Sequence, residues 1–115
     1  MTLLIPPAPT VSYEAFRAQE AADPNHIYEL LDGQLVKKTS PSPRHQYASN
    51  QISYALTTFV MVENELGTVF TAPLDVFFDE QNAIKPDIIY ISLHNEEIIT
   101  EDGIVGVPDL IVEIV

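Results

Sequence analysis

The feature that most constrains the fold is a series of three runs in the second half of the chain, "GTVFTAPLDVFFD", "IKPDIIYIS" and "DLIVEIV". Each is rich in Val, Ile, Phe or Tyr and bounded by turn formers, so three strands are expected. In the second run, the almost unbroken apolar stretch after its aspartate is the pattern of a strand buried on both faces. A sheet of this kind needs a cover. From Arg44 to about Leu66 the residues Tyr47, Ile52, Ala55, Leu56, Phe59, Val60 and Val62 recur at three- and four-residue spacings, predicting one long helix with Gly67 as its C-terminal stop. Ser42 is placed as its N-cap and Pro43 in its first turn.

Upstream, Asp32-Gly33 lies between two alternating apolar runs in "HIYELLDGQLVKKT", the strongest short-range signal for a hairpin. Ser12 is the expected cap of a short helix in "SYEAFRAQEAAD", and the proline-rich residues 1–11 are expected to form an extended lead-in. The expected fold is therefore a single α/β domain spanning residues 1–115, with a central mixed sheet, a long helix against it and an N-terminal hairpin extension.

Absence of cysteine excludes a disulfide framework and thiolate metal sites, and no apolar run is long enough to span a membrane. The N-terminus lacks a basic region before its short apolar run, so a secretory signal is not expected and a cytoplasmic setting is the default. Five Lys plus Arg against 17 Asp plus Glu give a net charge of −12, the wrong sign for broad contact with nucleic-acid phosphates. A focused site escapes that objection, because a bound divalent cation inverts the field around a carboxylate cluster.

Two carboxylates stand out. Asp87 follows Pro86 and opens a buried strand, while Glu113 sits within Leu-Ile-Val-Glu-Ile-Val, where a carboxylate is costly to ionise without a cation, a donor or water. Period-two alternation puts Asp109, Ile111 and Glu113 on one strand face. An aspartate and a glutamate converging from adjacent strands make an oxygen-rich site for Mg²⁺ or Mn²⁺, able to activate water and stabilise charge on a phosphodiester.

Pro86-Asp87, followed on the next strand by the glutamate of "VEIV", resembles the PD-(D/E)xK nuclease superfamily. The combination of "YELLDGQLV", "PSPRHQ", "APLDVFFDEQNAIKPDIIYIS" and "GVPDLIVEIV" is similar to the Uma2 family of restriction-endonuclease-like proteins, from about Tyr28 to Val115. The resemblance implies a restriction-endonuclease-like core and metal-dependent hydrolysis of DNA, with Asp87 and Glu113 as metal ligands and a homodimer as the expected assembly. It also implies that Glu29 in the hairpin and His45 at the start of the long helix line the site, as further metal contacts or proton-transfer groups. The lysine of the motif falls at Val115, and a lysine on a following helix is expected to substitute, so the chain is expected to lack the C-terminal part of the domain.

Each residue also has a plainer reading. Glu113 can be a solvated strand residue, Asp87 a turn aspartate, Glu29 a solvated hairpin residue and His45 a locally bonded helix-start residue. Asp109 is assigned to the turn at Pro108, and Asp75 is explained at least as well by an outward strand position as by the cleft. Lys37, Lys38 and Arg44 form the one basic cluster, for which a solubilising loop is the safer assignment. Two rival functions follow: a noncatalytic binding or assembly domain on a retired or truncated nuclease fold, and a carboxylate-metal hydrolase acting on small phosphoesters.

Overall fold

The computed structural model describes residues 11–115; the expected N-terminal lead-in lies almost wholly outside them. Helix α1 spans Tyr13–Ala22 and helix α2 Pro43–Thr57. Ser12 caps α1 by accepting from Ala15 N–H, and Ser42 caps α2 by accepting from His45 N–H, with Pro43 in the first turn as expected. The hairpin also forms as expected. Strands β1 (Ile27–Leu31) and β2 (Gln34–Lys38) pair in register, with Leu31 opposite Gln34. Asp32 and Gly33, at φ 51° and 74°, supply the left-handed turn that a two-residue hairpin requires.

The three expected strands are in fact seven. The first run splits into β3 (Gly67–Thr71) and β4 (Val76–Asp79), and the second into β5 (Asn82–Ile84) and β6 (Ile88–Ser92). Two short strands, β7 (Ile99–Thr100) and β8 (Gly103–Val105), follow a 3-10 turn, and the last run forms β9 only over Leu110–Val112. Prolines cause the first two splits. Pro73 and Pro86 have no N–H to give to a ladder, so pairing lapses at each and the chain changes sheets.

Two sheets result. A mixed six-stranded sheet runs β2-β1-β5-β4-β8-β7, with β4 and β8 parallel and the other neighbours antiparallel. An antiparallel sheet runs β3-β6-β9. The hairpin is thus the edge of the main sheet, extending its β5 side. The fold class is α/β with a central mixed sheet and a long helix, as in restriction-endonuclease-like folds.

The expected long helix also ends differently. Its regular part stops at Thr57, and Thr58–Glu63 continues with π-helical geometry, Leu66 N–H closing onto Val60 C=O. Gly67 therefore opens β3 and does not cap the helix. Among the described residues the core is two clusters. Phe16, Tyr28, Leu30, Phe77 and Ala83 pack α1 onto the main sheet. Val76, Ile89, Ile91 and Ile104 join the two sheets, with Ile111 and Phe70 against them. Ile88, Ile89 and Ile91 are fully buried, so β6 is covered on both faces as its apolar run implies.

Candidate active site

The sheet-changing segments converge on one cleft of about 670 Å³. Ala72 and Pro73 come from the first crossing, Lys85 and Asp87 from the second, and Glu113 to Val115 from the end of β9. Lys38, Arg44 and His45 close the opposite side, carried by the end of β2 and the start of α2.

Asp87 is the most constrained residue of the cleft. Its backbone extends the small sheet past the end of β6, with its N–H donating to Val112 C=O and its C=O accepting from Ala72 N–H. Its buried side chain accepts from Ile114 N–H at 2.7 Å and from His45 Nε2 at 3.2 Å, both on Oδ2. Because a carboxylate accepts, the ring hydrogen bond puts a proton on Nε2. The opposite ring nitrogen, Nδ1, is buried and has no partner among the described residues. His45 is at this spot because the Ser42 cap fixes the first turn of α2 at its own backbone N–H.

Glu113 lies one residue beyond β9, and its side chain is 47% exposed. The expected strand alternation holds only in part: Ile111 faces the core, but Glu113 has left the ladder and opens into the cleft. Partial burial pushes its carboxyl above the ordinary value and the Glu29 and Asp87 carboxylates add to that, while the Lys38 ammonium acts in the opposite sense.

Glu29 stands behind the cleft. Its Oε2 accepts Lys85 N–H at 2.8 Å, bracing the backbone two residues before Asp87, and lies 3.6 Å from Lys38 Nζ. Asp75 is neither outward nor in a strand: its Oδ1 is 2.7 Å from Lys85 Nζ, an ion contact without hydrogen-bond alignment. Asp109 takes the turn role assigned to it, accepting from Ser92 N–H and Oγ; the Ser92 N–H is the main cause holding its carboxyl below the usual range.

Two lysines were underrated by the sequence reading. Lys38 leaves the expected solubilising loop and points into the cleft, donating to Lys85 C=O at 2.9 Å. Lys85 is buried, with Nζ bound to Tyr28 C=O and Glu20 and lying above the Phe16 ring. A signal for Lys38 was available: strand alternation sends one of two consecutive strand lysines to each face.

The four residues singled out in the sequence, Asp87, Glu113, Glu29 and His45, thus gather around one cleft although 84 positions separate the first from the last (113 − 29). The sequence model of one family, described as "Putative restriction endonuclease", matches residues 13–115. The chain belongs to the Uma2 family. Membership supports a nuclease-like function in broad terms, and restriction-endonuclease-like families generally use divalent metals. No curated protein matches the chain. No helix among the described residues is long and apolar enough to cross a membrane.

Proposed function

We propose that this Uma2 chain carries a divalent-cation-dependent site for hydrolysis of DNA phosphodiester bonds, with Asp87 and Glu113 as the protein's metal ligands. The observation that carries the reading is the meeting of Asp87 and Glu113 at one cleft, Asp87 just before β6 at a sheet crossing and Glu113 just past the end of β9. Among the described residues no three His, Asp or Glu side chains form a ready metal cage. Two carboxylates suit Mg²⁺ or Mn²⁺ nevertheless, since Mg²⁺ commonly takes one or two carboxylates and completes its shell with waters and substrate phosphates. When bound, such an ion would lower the pKa of a water and offset charge on the phosphate.

The chain's own residues have separable tasks. Ile114 N–H and His45 Nε2 hold Asp87 Oδ2, which leaves Oδ1 for the cation. His45 therefore serves as a positioning residue for Asp87. Glu29 acts one step further back, fixing Lys85 and with it the turn that presents Asp87. In the net reaction the oxygen of water bonds to phosphorus, the ester P–O bond breaks and a proton from that water ends on the leaving oxygen. DNA as substrate belongs to the same proposal, supported by the nuclease family; a cytoplasmic setting and pairing of two copies are proposed with it from the resemblance alone.

The test is conversion of supercoiled plasmid to nicked or linear DNA in Mg²⁺ and in Mn²⁺, with Asp87→Asn as control. The proposal expects cleavage that requires the cation and falls at least about a hundredfold in the variant, a loss in the range of other electrostatic site deletions. Cation-independent cleavage, or an unimpaired variant, would overturn it. Val115 in place of the motif lysine favours a noncatalytic binding domain as the second reading. That reading expects cation-dependent DNA binding with no cleavage.

A further inference from the structure

The chain has five Lys and Arg residues, and three of them, Lys38, Arg44 and Lys85, line the candidate cleft. The ammonium of Lys85 is committed to Glu20, Asp75 and Tyr28 C=O, and Arg44 lies exposed at the cleft. Lys38 differs from both. Its side chain is 28% exposed, and Nζ donates one hydrogen bond, to Lys85 C=O. It stands 3.6 Å from Glu29 Oε2 and 3.9 Å from Glu113 Oε2, beyond close hydrogen bonding to either. An ammonium has three donors, so among the described residues two are without a close acceptor, with these two carboxylates at ion-pair distance, and can meet an oxygen entering the cleft.

The position is held by the fold. Lys38 pairs with Ile27 at the end of the hairpin, and its bond to Lys85 C=O ties that strand end to the segment that presents Asp87. Lys37, one residue earlier and exposed, pairs with Tyr28 and does not line the cleft. We propose that Lys38 is a phosphate-contacting cation of this site, donating to a non-bridging oxygen of the phosphodiester beside Asp87 and Glu113. The inference rests on the nuclease reading above for its substrate and deepens it. The role is electrostatic: Lys38 keeps its proton, and its charge offsets the charge of a phosphate drawn toward two carboxylates.

The experiment measures anisotropy of a fluorescein-labelled, non-specific DNA duplex in Ca²⁺ and plasmid cleavage in Mg²⁺, for wild type, Lys38→Gln, Lys38→Arg and Lys37→Gln, with folding checked by circular dichroism. The proposal expects Lys38→Gln to weaken duplex binding about tenfold, the scale of one charge-assisted hydrogen bond. Lys38→Arg should recover most of the loss, and Lys37→Gln should bind as wild type does. Recovery by arginine separates a charge contact from simple packing. Wild type that binds with this dependence on Lys38 but does not cut would retire the nuclease reading and leave Lys38 as a phosphate contact. Wild type that cuts, alongside folded Lys38→Gln with unchanged binding and cleavage, would overturn the assignment of Lys38 and keep the nuclease. Equal losses in Lys38→Gln and Lys37→Gln would overturn it in favour of diffuse charge. Wild type that neither binds nor cuts would overturn both.

Discussion

Lys85 shows how a single residue underlies the site without taking part in it. Its buried ammonium pairs with both Glu20 and Asp75, its N–H anchors Glu29 and its C=O receives Lys38, so three of its groups brace the approach to Asp87. Removing this cation leaves two partly buried carboxylates facing one another without compensation. Lys85→Met is expected to cost about 3 kcal/mol, the range for breaking a buried ion pair, read by urea denaturation. Replacing Glu20 and Asp75 by Gln and Asn in the same chain should recover part of that loss. Glu113 carries a prediction of opposite sense. Its folded-state pKa is raised, so its neutral form is favoured in the fold, and its contribution is fully present below the unfolded carboxyl range and lost as pH rises through the folded value. In the absence of divalent cation, Glu113→Gln should therefore be more stable relative to wild type at pH 7 than at pH 4, as compared by denaturant midpoints.

At the scale of elements, the proline crossings decide both topology and site. Apolar runs announce strands, and the hairpin turn, both helix caps and the doubly buried character of β6 were all legible because each depends on residues close in sequence. The splitting of two runs was not, although Pro73 and Pro86 mark it. A proline signals that pairing lapses but not that the chain then joins a different sheet, which is settled by long-range pairing such as β3 with β6. Asp87 and Glu113 could be singled out because a carboxylate in an apolar run is conspicuous. For Lys38, alternation separates it from Lys37 but does not say which face meets the site, since nothing local says that the hairpin end faces α2 and the end of β9. Gly67 belongs to this scale too. At φ 156° it opens β3 against Ser92, and an added Cβ would lie 2.1 Å from Ile91 C=O. Gly67→Ala is expected to lower the thermal midpoint by several degrees, as a shift of more than about 1 kcal/mol does in a domain of this size. Ser42→Ala should cost about 1 kcal/mol as a lost cap. In addition it should reduce plasmid cleavage more than an equally destabilising change in α1, because the first turn of α2 carries His45 to Asp87.

For the molecule as a whole, the net charge of −12 and the basic lining of the cleft are parts of one electrostatic arrangement. A chain so acidic repels a polyanion unless a cation intervenes, so duplex affinity should rise steeply when divalent cation is added and should stay low in monovalent salt alone. If the proposed site holds a cation, that cation should also stabilise the fold in proportion to its occupancy, since the folded site would bind it and the dispersed carboxylates of the unfolded chain would not. On the proposed site, both effects trace to Asp87 and Glu113. The most direct measurement is therefore isothermal titration of Mn²⁺ into wild type, Asp87→Ala and Glu113→Ala, each checked for folding by circular dichroism. Saturable binding to wild type that is lost in both folded variants is the expected result. Undiminished binding in either variant, or none in folded wild type, would contradict a metal site built from these two carboxylates.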